Sequence, residues 1–178
     1  NELRSTINFI HTKGLRVSLD VVFNHVYNAI NFDLDKMLGG HAFRKMDDGS
    51  LAKGSLCGNE INSEDPFVRE YLLAMSIRYL ELFDIDGLRI DLMGILDYKT
   101  VNLIKDTLKN IKKDFIVYGE GWNMGDKLDE SLRASIINQS NLPNVYMFND
   151  YFRNTITGYI FDSQNNREDV KKCIKRTD

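Results

Sequence analysis

Apolar side chains recur at helical spacing in three stretches of the chain, which predict three amphipathic helices. These stretches are residues 1–13, 65–83 and 99–113. The second begins with Asp65, a favourable N-cap, followed by Pro66 at the first helical position, where proline is well tolerated. Each helix therefore has one apolar face to bury against another element.

Short apolar runs between the helices predict strands. Residues 15–23 are rich in β-branched and apolar types, so we expect a strand buried on both faces, as in a parallel sheet. Further strands are predicted at 86–92, 115–119 and 144–148, with a fourth helix at 130–137 before the last of them. Strict alternation of strands and helices predicts a parallel sheet covered by helices.

Two stretches break this alternation. Residues 24–63 show no periodicity and contain five glycines, so we expect a long loop insertion. A loop of that length in a compact domain is usually functional or partly disordered. After the last strand the sequence is polar and predicts only a weakly helical tail.

The composition limits the classes of function. The 178 residues carry a formal net charge of −3, from 23 Lys and Arg against 26 Asp and Glu. This balance does not favour nucleic acid, whereas a neutral, hydroxyl-rich ligand is compatible with it. No apolar run approaches the ~20 residues that span a bilayer, so we expect no membrane association. Cys57 and Cys173 stand in no paired motif, which predicts two free thiols rather than a disulfide or a zinc site.

An alternating chain of this kind forms either an open doubly wound sheet or a (β/α)₈ barrel. No phosphate-binding motif of the open-sheet type follows any predicted strand. Polar and ionisable side chains instead follow three successive strands, as in barrel enzymes, whose sites are built at the carboxyl ends of several strands. The barrel is therefore favoured. The residues at these strand ends are Asp20, Asn24, His25, Arg89, Asp91, Glu120 and Trp122.

Asp91 and Glu120 form a pair suited to glycoside hydrolysis. They follow adjacent parallel strands, whose spacing of about 4.8 Å brings the two carboxyls close together. Retaining glycosidases require two carboxyls about 5–5.5 Å apart, one as nucleophile and the other as general acid and then base. Arg89, two residues before Asp91, faces the same side of the strand and would keep Asp91 ionised. Trp122 offers a flat apolar surface on which a sugar ring can stack.

Each residue taken alone has a simpler interpretation. An acidic residue at a strand end is more often a helix N-cap or an ion-pair partner than a catalyst. Asp20 would fit a buried structural acid, and His25 a packed histidine. The combination of these residues, and their order along the chain, favours the catalytic interpretation.

Three sequence blocks resemble the signature of the α-amylase family of glycoside hydrolases. DVVFNH at 20–25 resembles the block after the third barrel strand, GLRID at 87–91 the block after the fourth, and YGEGW at 118–122 the block after the fifth. Within this family the resemblance is strongest to type I pullulanases, the α-1,6 debranching enzymes. The segments that carry it are 23–28, 57–70, 86–94, 118–125 and 138–153.

The resemblance implies an α/β fold that is part of a TIM (β/α)₈ barrel, about strands 3 to 6 with their helices. Residues 1–178 would form the central part of a glycoside hydrolase catalytic barrel, with the loop insertion at about 24–63. Asp91 would be the nucleophile, Glu120 would be the general acid and base, and Arg89 would hold Asp91.

The resemblance also implies an α-glucan polysaccharide or oligosaccharide as substrate. His25 would hydrogen-bond the sugar where cleavage occurs, Asp20 and Asn24 would support that loop, and Trp122 would form part of the acceptor-side surface. No cofactor is required. The position of Asn24 ligates calcium in many amylases, but residues 24–63 contain no D-x-D-x-D-G loop, so calcium is not indicated.

Two departures from the family pattern are visible. The fourth block, with its His-Asp dipeptide and third catalytic Asp, is absent, since the only histidines are His11, His25 and His41. Leu96 stands where many pullulanases have His, whereas Met93 fits the pullulanase pattern. We therefore expect the isolated chain to be an inactive excerpt that self-associates through exposed barrel edges.

Two classes of function compete. The first is retaining hydrolysis of α-1,6-glucosidic linkages in pullulan, amylopectin or limit dextrins by the parent protein, with an α-1,4-acting neopullulanase or an isoamylase-like hydrolase as the near alternative. The second is a non-catalytic barrel that binds carbohydrate or protein. Such barrels tend to lose the carboxylates, and both Asp91 and Glu120 are present, so the enzyme is favoured. No targeting signal indicates a localisation.

Overall fold

The computed structural model describes residues 2–150 and 152–153 of the chain. Cys173 and the polar tail after residue 153 lie outside this part, so the predictions made for them stay untested. The chain divides into two compact units, Asn1–Met147 and Phe148–Asp178. The first contains all the elements below.

Strands and helices alternate through the first unit, with a small folded insertion after the first strand. In chain order they are α1 (Glu2–Thr12), β1 (Ser18–Val21), β2 (His25–Val26), α2 (Asp33–Met37), β3 (Asn59–Glu60), α3 (Pro66–Phe83), β4 (Gly87–Ile90), α4 (Tyr98–Ile111), β5 (Ile116–Gly119) and β6 (Val145–Met147).

The main sheet has four strands in the order β1-β4-β5-β6, and every neighbouring pair is parallel. This confirms the predicted α/β class and the four predicted strands, each shorter than its sequence pattern suggested. The expectation that the first strand is buried on both faces is wrong. Ser18 and Asp20 are exposed, because they lie on the face of the sheet opposite the one that the helices cover.

One face of the sheet is covered by α3 and α4 and forms the core. Leu88, Ile90 and Val117 on the strands are fully buried, as are Ile104 and Leu108 on α4. Burial of such side chains stabilises the fold by about 1.5–3 kcal/mol each. The helical face and the strand face therefore meet as the apolar pattern predicts.

The opposite face of the sheet is polar and aromatic. Asp20, Arg89 and Tyr118 are register partners across β1, β4 and β5, and Tyr146 continues the row on β6. Because side chains alternate along a strand, this row points away from the buried leucines and valines. The face away from the helices thus presents ionic and phenolic groups.

Residues 24–63 were expected to be a loop, but the structure shows a folded insertion. β2 and β3 pair antiparallel. Phe32 and Phe43 meet edge to face with ring centroids 5.7 Å apart, and Phe43 is 3% exposed. The strand partners are separated by a long stretch of chain, so no local periodicity could reveal the pairing.

The prediction of a helix at 130–137 is wrong. Two 3₁₀ segments, Glu130–Leu132 and Ile136–Asn141, occupy this region. Between them the Ala134 N–H donates to the Leu96 carbonyl at 2.8 Å. At Ala134 the backbone is thus bonded to a neighbouring loop rather than to its own turn, and that tertiary contact overrides local helix propensity.

The helix boundaries follow their capping residues. Asp65 accepts hydrogen bonds from the Phe67 and Val68 amides at the start of α3. Asp97 caps α4 by accepting from the Thr100 amide. In the described part of the chain, no helix is both long and apolar enough to cross a membrane.

Candidate active site

Arg89 joins three carboxylates at the carboxyl end of the sheet. Its Nη1 lies 2.9 Å from Asp20 Oδ1 and 2.9 Å from Asp91 Oδ1, and its Nη2 lies 2.7 Å from Glu120 Oε1. A planar guanidinium presents donors in a fixed fork, so it can hold several carboxylates in defined directions. The structure thus brings the two candidate catalytic carboxyls to one group.

The strand ladder places these residues. Asp91 directly follows β4, and its N–H donates to the Val21 carbonyl at 3.0 Å. Glu120 directly follows β5, and its N–H donates to the Ile90 carbonyl at 3.2 Å. Both carboxyls therefore stand where parallel strands end, which is the rim that carries the active site in barrel enzymes.

Glycines on both sides of Glu120 allow this close arrangement. A Cβ on Gly119 would overlap the Ile90 carbonyl oxygen, and a Cβ on Gly121 would overlap the Met147 side chain. Glu120 Oε2 accepts from the Leu92 N–H at 3.1 Å, so both of its oxygens are held.

Arg89 is the cation shared by the three carboxylates of the site. Partial burial by itself would lower the Arg89 pKa, but hydrogen bonds to Asp20 and Asp91 and the charge of Glu120 raise it above its ordinary value. The side chains of Asp91 and Glu120 are 27% and 16% exposed, so both are reachable from solvent yet mostly shielded. The site is a partly desolvated cluster of three acids and one base.

Asn24 and His25 reach the same rim from the first strand. Asn24 is fully buried, its amide nitrogen donates to the Asp91 carbonyl, and its side-chain oxygen accepts from His25 Nδ1. Asn24 thus orients both its neighbour and the backbone of the candidate nucleophile.

Asp20 was expected to support the loop that carries His25. In the structure it accepts a hydrogen bond from Arg89 instead. With 65% of its side chain exposed, Asp20 is not a buried structural acid.

Trp122 lies two residues beyond Glu120 and is 37% exposed. Its carbonyl oxygen is packed against Gly94, where a Cβ would overlap it.

Leu96, at the position that differs from many pullulanases, is fully buried and is not part of the rim. Across the described residues, His, Cys, Asp and Glu side chains form no group able to hold a metal ion.

Sequence reasoning missed two residues behind the site, Arg44 and Glu60. Both are buried, and Glu60 is the register partner of His25 in the insertion. Neither residue stands at a predicted strand end, so the pattern that pointed to Asp91 and Glu120 could not reveal them.

Comparison with known proteins finds homologues that match this chain along part of their length. No protein-family model matches the chain. Over 160 residues it is 38% identical to the pullulanase of Bacillus subtilis strain 168, which covers 90% of the chain and 22% of that protein. The crystal structure of type I pullulanase from Bacillus subtilis strain 168, complexed with maltose, matches with a TM-score of 0.84 over 87% of the chain. The chain is homologous to part of the type I pullulanases of the α-amylase family.

Other pullulanases match in the same way. Pullulanase 1, chloroplastic, of Arabidopsis thaliana is 32% identical over 175 residues, which cover 88% of the chain and 18% of that protein. The maltotetraose complex of pullulanase from Anoxybacillus sp. LM18-11 matches with a TM-score of 0.92 at 31% identity, over 98% of the chain and 26% of that structure. The parallel β/α sheet of this chain therefore matches part of a pullulanase catalytic domain.

Proposed function

We propose that the parent protein is a retaining glycoside hydrolase that cleaves α-1,6-glucosidic linkages in pullulan, amylopectin or limit dextrins. Residues 1–178 are then the central part of its catalytic (β/α)₈ barrel, about strands 3 to 6. The observation that carries the proposal is the convergence of Asp91 and Glu120 on one guanidinium at the carboxyl rim of the sheet. The homology to pullulanases supports the choice of linkage.

In the first step Asp91 attacks the anomeric carbon of the sugar. The bond from that carbon to the leaving oxygen breaks, the leaving oxygen takes the proton of Glu120, and a glycosyl ester of Asp91 forms. In the second step Glu120 takes a proton from water. The water oxygen attacks the same carbon and releases Asp91 as a carboxylate, so the product retains the α configuration.

Arg89 has a role in both steps. Its contact with Asp91 orients the attacking oxygen. Its contact with Glu120 must open when a sugar enters, because the acid has to direct its proton at the leaving oxygen rather than face a cation. During the cycle Arg89 therefore releases Glu120, while its contact with Asp91 is kept.

The ligands of the homologous structures support an α-glucan substrate. The pullulanase of Paenibacillus barengoltzii was crystallised with maltohexaose and α-cyclodextrin, and it matches with a TM-score of 0.84 at 39% identity. The near alternative is an α-1,4-acting enzyme, since the cyclomaltodextrinase of Geobacillus thermopakistaniensis is 28% identical over 148 residues. That identity is lower than the 38% to a pullulanase, which favours debranching.

The test uses the full-length parent with Asp91→Asn and Glu120→Gln, and with Asp106→Asn as a matched surface control. Loss of the acid should lower the rate on pullulan by roughly 10²–10⁴-fold. The Glu120 variant should still carry out the first step on α-maltotriosyl fluoride, because the fluoride leaving group needs little protonation. The Asp91→Asn variant should lose activity on both pullulan and the fluoride. NMR of the first-formed sugar should show the α anomer. Wild-type rates on pullulan in either variant, or a β product, would contradict the proposal.

A further inference from the structure

Arg44 and Glu60 form an ion pair inside the insertion. Arg44 Nη1 lies 3.3 Å from Glu60 Oε2, and the two side chains are 2% and 0% exposed. Arg44 also donates to Glu64 at 3.0 Å, to Ser63 Oγ at 3.0 Å and to the Ile95 carbonyl at 2.8 Å. Each nitrogen of the guanidinium thus has a partner, so the fork is held in one orientation.

Two loops that carry the candidate catalytic carboxylates meet at this pair. We refer to residues 91–97 as the nucleophile loop and to residues 120–126 as the acid/base loop. The carbonyl that Arg44 bonds belongs to the nucleophile loop. Glu60 Oε1 accepts from the N–H of Asp126, at the end of the acid/base loop, at 2.9 Å. One buried ion pair therefore bonds the backbone of both loops.

The same pair also supports the segment that carries the candidate sugar-binding histidine. Glu60 lies opposite His25 in the β2–β3 ladder. The next residue, Ile61, donates its N–H to the Asn24 carbonyl at 2.8 Å. All three rim segments are thus bonded, directly or through one residue, to Glu60.

Gly54 shows how closely the insertion approaches the acid/base loop. A Cβ on Gly54 would stand 2.5 Å from Glu60 Oε1 and 2.5 Å from the Gly125 carbonyl carbon, closer than real Cβ contacts. The neighbouring Lys53 N–H donates to Asp126 Oδ2 at 3.0 Å. The insertion and the acid/base loop are therefore in direct backbone contact, with no room for a side chain between them.

We propose that Arg44 and Glu60 are positioning residues, which set the distance between the nucleophile loop and the acid/base loop; this role rests on the proposed hydrolase function. Burying an ion pair contributes little net stability, because apolar residues of similar volume often do as well. What apolar residues cannot supply is directed hydrogen bonding to backbone groups of two separate loops. A displacement of about 1 Å between catalytic groups can lower the rate by about 10²-fold.

The test compares two different perturbations in the full-length parent. Glu60→Gln has nearly the same shape and keeps an acceptor for the Asp126 N–H, but it removes the buried carboxylate from Arg44, whose remaining carboxylate partner is the more exposed Glu64. Gly54→Ala changes no charge and forces the insertion, with Glu60, away from the acid/base loop. The matched control is Lys105→Met, which removes a buried cation that bonds the Pro143 carbonyl at 2.7 Å, before β6 and at the other end of the sheet.

Below the unfolding temperature, kcat on pullulan should fall roughly tenfold or more in both test variants, while KM changes by less than about threefold. Lys105→Met should keep the wild-type kcat even where its thermal midpoint falls. The rate of backbone amide hydrogen exchange should rise in the nucleophile loop and in the acid/base loop of both test variants. In the control variant it should rise in neither loop.

Wild-type kcat together with wild-type exchange in the two test variants would overturn the positioning role, and so would an equal loss of kcat in Lys105→Met. A wild-type parent that is inactive on pullulan would instead contradict the proposed function. In that event the exchange measurement still decides whether the pair holds the two loops, because it does not depend on turnover.

Discussion

Arg89 could not be replaced by lysine without changing the site. It contacts Asp20 and Asp91 through one terminal nitrogen and Glu120 through the other. An ammonium is a single point charge and cannot hold separate carboxylates in two fixed directions. The guanidinium thus sets the relative orientation of the acids as well as supplying positive charge.

A second ionic cluster lies at the amino end of β4, away from the candidate site. Asp86 contacts His11 Nε2 at 2.9 Å and Lys112 Nζ at 2.8 Å, and accepts from the Val17 N–H at 2.7 Å. Partial burial opposes ionisation of Asp86, but the bonds from Lys112, Val17 and His11 outweigh it and lower the pKa of Asp86 to about 2. This carboxylate joins α1, β4 and the end of α4.

We predict that Asp86→Asn destabilises the full-length parent by about 2 kcal/mol at neutral pH, as follows from a lowered carboxylate pKa. The folded pKa lies below the unfolded one, so this stability is present above about pH 4 and is lost as the pH falls toward 2. The difference in thermal midpoint between wild type and variant should shrink across that window. Asp84→Asn, whose side chain is 67% exposed, is the control and should have a smaller effect. A constant difference from pH 7 to pH 2 would contradict the assignment.

The loops after β4 and β5 pack directly on each other through backbone. The Gly94 N–H donates to the Glu120 carbonyl at 3.1 Å, and the Gly94 Cα faces the Trp122 carbonyl. Leu92, next to Asp91, has a φ of 38°, in the left-handed region that non-glycine residues rarely adopt. The turn after β4 is therefore shaped by its contact with the neighbouring loop.

We predict that Gly94→Ala separates the two loops, because a methyl group at this position would overlap backbone that cannot rotate away. Overpacking of this kind costs about 1–3 kcal/mol. The full-length variant should show a lower thermal midpoint and a reduced rate on pullulan. Gly49→Asn is the control, since Gly49 has open space around it and Asn tolerates its φ of 83°. Equal midpoints and rates for both variants would show that the contact has no consequence.

The main sheet ends in two strands that pair on one side only within the described residues, β1 and β6. An unpaired strand presents a row of free N–H and C=O groups, which is a template for pairing with another chain. The face away from the helices carries Asp20, whose side chain is 65% exposed, and Tyr146, which is 57% exposed. The chain spans 22% of the Bacillus subtilis pullulanase to which it is homologous.

We predict that the purified 178-residue chain self-associates and does not hydrolyse pullulan. Edge pairing between copies satisfies the open strands, while the four described strands of the main sheet form only part of the barrel that we propose encloses the sugar. Light scattering over a range of concentrations measures the mass, and a pullulan assay with the full-length parent as control measures turnover. A concentration-independent monomer would contradict the first part. Turnover of about 10 per second, typical of enzymes, would contradict the second.

The sequence by itself determined the order of the main-sheet strands and of the helices between them, and the polar residues at the strand ends. Apolar periodicity located α3, α4 and the four parallel strands, because each of these elements buries a local stripe or run of side chains. Asp91 and Glu120 were recognisable because each directly follows a strand. In a parallel sheet the carboxyl ends of the strands share one edge, so order along the chain translates into proximity in space.

Only the tertiary structure decided how the insertion folds and that Arg89 also binds Asp20 and Glu120. Arg44 and Glu60 meet because β2 and β3 pair across a long stretch of chain, and a local pattern contains no information about such a partner. Residues 130–137 are not an α-helix, because the N–H groups of Ala134 and Ile136 donate to the carbonyls of other loops. Asp20 binds Arg89 because strand register places the two side by side, and register is a property of the assembled sheet.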